Sequence, residues 1–222
     1  DTADMTMALI LSVPRRLAEG EKLMRSGAWA GWAPSAMLGH RVGGKLLGIV
    51  GMGRIGLAVA RRARAFGLSI HYHNRRRLPA DVEAELGASF HPSIDTLLRI
   101  ADIVTLHCPH TAETHGLISA ARIAAMKPTA YLINTARGEV VDEDALIGAL
   151  TNRRIAGAGL DVYNHEPAVD PRLLGLDNVV LLPHLGSATV EGREASGERV
   201  IANIRAWCDG HRPMDQVIEG WA

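Results

Sequence analysis

The fold is decided by the stretch Leu47-Gly48-Ile49-Val50-Gly51-Met52-Gly53-Arg54-Ile55-Gly56. Its first residues form an apolar run suited to a buried strand, and the pattern G-x-G-x-x-G then opens a helical segment. In that setting Gly51 permits a tight turn, Gly53 lets the backbone approach a pyrophosphate, and Gly56 lets the helix pack close to the strand. Free N–H groups at the helix start favour phosphate oxygens. The turn therefore predicts a dinucleotide site, with a purely structural turn as the alternative.

Short apolar runs alternate with helical patterns along the rest of the chain. Strands are predicted at residues 46–50, 68–72, 103–106, 131–134, 156–162 and 179–182. Helices are predicted at residues 54–66, 81–86, 93–100, 119–126, 142–152 and 189–208. This alternation implies right-handed crossovers and a parallel sheet covered on both faces. The predicted fold class is therefore α/β, a Rossmann-type doubly wound parallel sheet.

Charge and cysteine content narrow the function classes. The 222 residues include 24 basic and 24 acidic side chains, which argues against nucleic acid or a membrane as a partner. Two cysteines, Cys108 and Cys208, are too few for a disulfide framework and favour a reducing, cytoplasmic location. The apolar run at 5–13 is preceded by acids, unlike a signal peptide, and is too short to span a bilayer. We expect a helix, kinked or divided at Pro14, of a larger fold whose upstream part is absent.

The end of the second predicted strand indicates which dinucleotide would bind. An NAD site normally has an acid about 20 residues beyond the glycines, which accepts from the ribose 2′-OH. Here Asn74 stands at that position, 18 residues after Gly56, and Arg75 and Arg76 follow it. Guanidinium groups bind a 2′-phosphate, whereas a carboxylate repels one. We therefore expect NADP to be preferred and NAD to be possible, with a solvated basic turn as the alternative.

Three further polar residues follow predicted strands. Arg137 lies just beyond the strand 131–134, Glu166 follows the strand 156–162, and His184 follows the last strand. Ligands bind at the carboxyl edge of an open parallel sheet, where all three would lie. An arginine there can hold a substrate carboxylate with two parallel hydrogen bonds. For Glu166 and His184 the plain alternatives are a surface acid and a turn residue.

Together these motifs resemble the D-isomer-specific 2-hydroxyacid dehydrogenase family, over nearly the whole chain. The loop with Trp29 and Trp32 and the turn at 73–76 are most similar to its glyoxylate and hydroxypyruvate reductase branch. The motifs that carry the resemblance are Gly48–Gly56, Leu106–Thr114, Gly116-Leu117-Ile118, Asn134–Gly138, Gly159–Val162, Glu166-Pro167 and Pro183–Thr189.

The resemblance implies an enzyme that transfers hydride between NADP(H) and a small 2-oxo or 2-hydroxy acid. His184 would be the general acid and base, because the pKa of histidine lies near the working pH. Glu166 would orient the imidazole and favour its charged form. Arg137 would hold the substrate carboxylate and polarise the carbonyl. A glutamate partner for the histidine also favours this chemistry over that of the related formate dehydrogenases, which use glutamine.

The same resemblance implies a set of cofactor contacts. Among them, Asp161 would contact the nicotinamide carboxamide. The full set is Gly51, Gly53, Arg54, Ile55, Gly56, Asn74, Arg75, Arg76, Pro109, Thr135, Asp161 and Gly186.

Domain organisation and assembly also follow from the resemblance. Residues 1–26 would form a helix between domains and at a two-fold interface, residues 27–188 the dinucleotide-binding domain, and residues 189–222 a helix and tail returning toward the substrate domain. That N-terminal substrate domain is expected to be largely absent from this chain. We expect a homodimer in which Trp29 and Trp32 lie at the interface, and we hold open a role for them in the partner's substrate pocket.

Two other hypotheses were weighed. The corepressors related to this family suggest a non-catalytic, dinucleotide-sensing dimer, which the arginine-rich turn disfavours. The cluster of His107, Cys108, His110 and His115 matches no zinc pattern, and we expect no metal site.

Overall fold

Seven parallel strands form one sheet in the computed structural model, which describes residues 1–216. They are β1 (Leu46–Val50), β2 (Ser69–His73), β3 (Ser89–Phe90), β4 (Ile103–Leu106), β5 (Tyr131–Asn134), β6 (Gly157–Leu160) and β7 (Val179–Leu181). Their order across the sheet is β3-β2-β1-β4-β5-β6-β7. The chain winds in one direction from β1 to β3 and in the other from β4 to β7. The switch point between β1 and β4 is where such folds bind ligands.

Helices connect the strands, and their ends follow the capping rules. The Ser93 hydroxyl accepts the Asp95 N–H (3.2 Å), and the Asp142 carboxylate accepts the Ala145 N–H (3.0 Å), as the sequence predicts. Pro14 lies between the first two helices, which confirms the predicted division. The helices are α1 (Thr2–Ser12), α2 (Leu17–Ser26), α3 (Arg54–Ala65), α4 (Ala80–Leu86), α5 (Ile94–Ile100), α6 (Ala120–Ala125), α7 (Glu143–Thr151), α8 (Pro171–Leu174) and α9 (Val190–Cys208), with a 3-10 turn at Gly138–Val140.

The four central strands end level with one another. Val50 pairs with Leu106, Leu106 with Asn134, and Asn134 with Leu160. Because the strands are parallel, each segment that follows them leaves the sheet at the same carboxyl edge. The glycine turn, the loop after β4, the Arg137 segment and the segment after β6 therefore share one rim of the molecule.

Apolar residues of the strands alternate between two cores. Val104 and Leu132 belong to one buried cluster, whereas Ile103 and Ile133 belong to the other. Successive strand residues point to opposite faces, so the clusters cover the two sides of the sheet. Helix α1 packs on α3, β5 and β6, and its Ile10 is fully buried in the second cluster. Truncation of a side chain like this to alanine costs about 2–5 kcal/mol.

The prediction missed the shortest elements. Strand β3 has two residues, and α8 has four. Periodicity needs more residues than these to register, so no sequence pattern marked them. Strand β6 is also shorter than predicted, since Asp161 and Val162 already belong to the loop that follows it.

The chain divides into two compact units, one of residues 2–186 and one of Asp1 with the segment from residue 187 onward. In the second unit, Thr189 caps α9 by accepting the Gly192 N–H (2.9 Å) and donates to the Asp1 carboxylate (2.9 Å). The predicted boundaries at 26/27 and 188/189 stay predictions, and the last six residues of the predicted tail lie outside the described residues. Within residues 1–216, every helix is too short or too polar to cross a membrane.

Candidate active site

Two glycines of the turn after β1 are required by the protein itself. Gly51 has a positive φ of 96°, and a Cβ there would lie 2.6 Å from the Cys108 nitrogen. A Cβ on Gly56 would lie 2.5 Å from the Gly51 carbonyl oxygen. These approaches hold the turn against the loop after β4 and the helix against the turn. Any larger residue would force the backbone apart at either point.

Gly53 is different, because a Cβ there would meet no protein atom within 4 Å. It is the N-cap of α3, and no side chain caps that helix. Arg54 and Ile55 begin α3, so their N–H groups belong to the uncapped first turn next to the open space at Gly53. An anion fits such an opening, since it gains both hydrogen bonds and the positive end of the helix dipole. The turn therefore fits the pyrophosphate of a dinucleotide.

Asn74 joins the second strand to the glycine turn. Its Oδ1 accepts the Met52 N–H (2.6 Å), so this oxygen is already used within the protein. No local sequence pattern predicts that contact. Arg75 and Arg76 follow as exposed residues. A hydrogen bond from Thr111 and the charge of Arg75 lower the pKa of Glu113, in the loop after β4.

The loop after β4 covers the glycine turn. Burial raises the pKa of the Cys108 thiol, and desolvation lowers the pKa of His107 to about 4. The His107 Nε2 lies 2.9 Å from the Thr105 hydroxyl. Pro109 is exposed, and its carbonyl accepts the Thr114 hydroxyl (2.6 Å). Within residues 1–216, no cluster of three or more histidine, cysteine or acidic side chains is arranged to hold a metal.

The Arg137 segment is fixed by Asn134, at the end of β5. The Asn134 Oδ1 accepts the Ala136 N–H (3.0 Å), and its Nδ2 donates to the Arg137 carbonyl (2.9 Å). Thr135 is buried, and its hydroxyl pairs with that of Thr6 at 2.9 Å. The Arg137 side chain remains exposed at the rim. Asn134 belongs to the motif noted in the sequence, but its bracing role was missed.

Gly138 brings two parts of the rim together. A Cβ on Gly138 would lie 2.1 Å from the Tyr163 carbonyl carbon. The segment with Arg137 therefore packs directly on the backbone of the segment with Glu166. The Tyr163 hydroxyl donates to the Leu182 carbonyl (2.9 Å), which precedes the histidine loop. No sequence pattern singled out Tyr163, because its contacts arise only in the folded chain.

Glu166 and His184 form a hydrogen-bonded pair. The His184 Nδ1 lies 2.7 Å from Glu166 Oε2, and the Tyr163 N–H donates to Glu166 Oε1 (3.0 Å). Partial burial raises the pKa of Glu166, but the hydrogen bonds from His184 and Tyr163 and the charge of Arg137 outweigh it, and the pKa lies below its usual value. Arg137 and His184 thus both lie within electrostatic reach of Glu166.

Asp161 holds the loop that carries the histidine. Its two carboxylate oxygens accept the N–H groups of Leu185 and Gly186, each at 2.7 Å. These bonds follow His184, which has a positive φ of 55°. That conformation is unfavourable for a residue with a side chain, so the surrounding contacts must maintain it. The sequence placed Asp161 at the site but missed this contact.

The sheet order, the glycine turn and the polar rim define a dinucleotide-binding α/β domain with a histidine–carboxylate pair. Residues 7–186 match the family described as D-isomer specific 2-hydroxyacid dehydrogenase, NAD binding domain. The chain belongs to this family, as the sequence motifs predict.

Relatives and solved structures agree with that assignment. Over 216 residues the chain is 50% identical to a glyoxylate reductase of Thermococcus onnurineus, covering 96% of this chain and 64% of the relative. A Polaromonas structure described as a D-isomer specific 2-hydroxyacid dehydrogenase has a TM-score of 0.94 and 45% identity, covering 98% of this chain and 67% of that one. An NADPH-dependent glyoxylate/hydroxypyruvate reductase of Sinorhizobium meliloti, in complex with NADP and malonate, has a TM-score of 0.90 and 40% identity, with 98% and 67% covered. The chain spans less than two thirds of the first of these relatives.

Proposed function

We propose that the complete protein transfers hydride between NADP(H) and a small 2-oxo acid such as glyoxylate or hydroxypyruvate. The observation that carries the proposal is the 2.7 Å pair of Glu166 and His184, within the field of Arg137, at the carboxyl edge of the sheet. Proton transfer and carboxylate binding are both needed to reduce a 2-oxo acid, and these three side chains supply both.

In this mechanism His184 gives a proton from Nε2, since its Nδ1 faces Glu166. The ionised Glu166 accepts a hydrogen bond from the ring and so fixes its orientation. Arg137 binds the substrate carboxylate and places the carbonyl oxygen near the ring. The nicotinamide cofactor, when bound, supplies the hydride. In the reverse reaction His184 takes the proton from the hydroxyl group.

We further propose that NADP is preferred over NAD. Two exposed arginines, Arg75 and Arg76, follow Asn74, which stands where an NAD site has an acid. The Sinorhizobium meliloti relative holds NADP in its structure. Among the relatives reported above, none favours the non-catalytic sensor as an alternative.

The test of the reaction is steady-state oxidation of NADPH by the complete protein with a panel of 2-oxo acids. We expect His184→Ala to lower kcat by about 100- to 10,000-fold. Arg137→Ala should mainly raise KM for the substrate and lower kcat/KM. His211→Ala, an exposed histidine in the other unit, is the matched control. Full activity in His184→Ala would overturn the proposal.

We also propose a homodimer whose interface includes the segment from α2 to residue 38. Helix α2 has no buried side chain, and Trp32 in the loop that follows is 83% exposed, with Trp29 53% exposed. Exposed tryptophans are typical of interfaces. Sedimentation of the complete protein should give a dimer, and Trp32→Ala should shift it toward monomer. A monomeric wild-type protein would contradict this proposal.

A further inference from the structure

We infer that Glu83, Tyr72 and Arg77 are positioning residues for cofactor choice. They fix the turn at 74–78 in the shape that presents Arg75 and Arg76 to a 2′-phosphate. The inference rests on the NADP preference proposed above and adds the residues that build the turn. None of the three would touch the nucleotide.

The Tyr72 hydroxyl connects helix α4 with the far end of the turn. Tyr72 is fully buried on β2, and its hydroxyl donates to Glu83 Oε1 at 2.6 Å. The Tyr72 hydroxyl oxygen also accepts the Leu78 N–H at 2.9 Å. A buried hydroxyl that both donates and accepts leaves little freedom to the groups around it. The backbone at residue 78 is therefore fixed relative to α4.

Arg77 is held by Glu83 and so is kept away from a ligand. Its Nε and Nη2 donate to the two carboxylate oxygens at 2.9 and 2.8 Å. Its guanidinium also lies 5.7 Å from the centre of the Phe90 ring. A bidentate guanidinium–carboxylate pair has a fixed geometry. Among the three consecutive arginines, Arg77 is therefore the residue that holds the end of the turn against α4.

The near end of the turn is fixed independently. Asn74 accepts the Met52 N–H at 2.6 Å, as described above. Of the three residues between the fixed ends, Arg77 is paired with Glu83, and Arg75 and Arg76 are exposed. A short segment held at both ends loses little conformational freedom when it binds a ligand. The turn is thus built in advance to present the guanidinium groups of Arg75 and Arg76.

Charge supports the same conclusion. Glu83 is only 8% exposed, and a buried carboxylate needs a charged partner. Hydrogen bonds from Arg77 and Tyr72 lower the pKa of Glu83, so it stays ionised at neutral pH. Arg77 neutralises this carboxylate. The turn then keeps the positive charges of Arg75 and Arg76, which a 2′-phosphate favours, and Arg75 also acts on the nearby Glu113.

The test compares Glu83→Gln and Tyr72→Phe with Glu85→Gln in the complete protein. Glu85 is a matched control, because it lies on the same helix and pairs with Arg61 at the surface (3.0 Å). Dissociation constants for NADPH, NADH and adenosine 2′,5′-bisphosphate are measured by fluorescence or calorimetric titration. Loss of one buried hydrogen bond should weaken binding of the two 2′-phosphorylated ligands by about five- to tenfold. Binding of NADH should change less than twofold, and Glu85→Gln should match wild type.

If the three residues had a purely structural role, their loss would weaken the binding of all three ligands equally. The ratio of the NADH and NADPH dissociation constants therefore separates a structural role from a positioning role. In an Arg75→Ala/Arg76→Ala background, Tyr72→Phe should leave this ratio unchanged. If wild type prefers NADPH and both variants keep its ratio, the positioning role is overturned while the proposed function stands. If wild type shows no preference for a 2′-phosphate, the NADP proposal and this inference both fall. Tyr72→Phe keeps the ring, so it remains informative if Glu83→Gln does not fold.

Discussion

The glycine turn and the segments that carry Arg137, Glu166 and His184 lie at the same edge of the sheet but depend on different parts of the chain, backbone in the first and side chains in the second. At the turn, Gly51 and Gly56 press on backbone atoms and leave no room for a methyl group. At the rim, Arg137 and His184 extend exposed side chains from loops that other residues hold. Function at the first region therefore depends on backbone shape. Function at the second depends on groups that can be exchanged without moving the backbone.

The largest effect is expected where a methyl group meets the backbone of the turn. Gly51→Ala should lower the free energy of unfolding by about 3 kcal/mol or more, because of the positive φ and the Cβ contact. The melting temperature should then fall by roughly 6–12 °C. Gly53→Ala is the matched control, with open space at its Cβ. Gly53→Ala should keep the melting temperature of wild type and bind the cofactor more weakly. An equal fall in melting temperature in both variants would contradict the distinction between the two glycines.

The rim contains one glycine that should behave like the turn. Gly138→Ala places a methyl group against the Tyr163 backbone, so we expect a stability loss of about 2–4 kcal/mol. The Arg137 segment should also move away from Glu166, and turnover of a 2-oxo acid should fall sharply in the complete protein. Thermal melting and steady-state kinetics would measure the two effects. An unchanged melting temperature would show that the Arg137 segment can move away from the Tyr163 backbone without loss of stability.

A smaller effect should follow from Asp161→Asn. One of the two N–H groups after His184 would lose its acceptor, which costs about 1–3 kcal/mol. Misplacement of the imidazole should lower kcat by about tenfold. Asp102→Asn is the control, because Asp102 accepts the Leu46 N–H (2.9 Å) at the opposite edge of the sheet. It should reduce stability and leave kcat unchanged.

The smallest effect should come from the pH dependence of the Glu166 and His184 pair. The folded state lowers the pKa of Glu166, so its ionised form stabilises the protein at neutral pH. This contribution should be lost as the pH falls through the folded-state pKa, below the usual glutamate range. Because the pair is half-exposed, Glu166→Gln should cost less than about 1 kcal/mol at pH 7 and nothing in strong acid. The melting temperatures of wild type and Glu166→Gln are to be measured as a function of pH. A difference between the two proteins that grows as the pH falls would contradict the expected sign of the Glu166 contribution.

The sequence predicted the sheet well and its bracing contacts poorly. Strands β1, β4 and β5 begin and end at the predicted residues, because their apolar runs are bounded by turn signals. The glycine turn is likewise predictable, because the spacing of its glycines is a local pattern in the sequence. The bonds from Asn134 and Tyr163 follow no local pattern, since their partners meet only when the rim segments come together.

The turn at 74–78 shows the same limit of prediction from local sequence. The sequence predicts Arg75 and Arg76 as cofactor contacts, but it does not reveal that Arg77 pairs with Glu83. The acid lies six residues further along on α4, and nothing in the spacing distinguishes it from Glu85. In the folded chain Glu83 accepts the buried hydroxyl of Tyr72, whereas Glu85 pairs with Arg61 at the surface.

Level strand ends also bear on how such a protein can diversify. Since Val50, Leu106, Asn134 and Leu160 finish in register, each following loop starts from a common plane. An insertion or exchange in one loop leaves the starting points of the others in place. Segment grafting should therefore keep the sheet, but loops that pack on one another, such as those joined at Gly51 and Gly138, would have to be exchanged together.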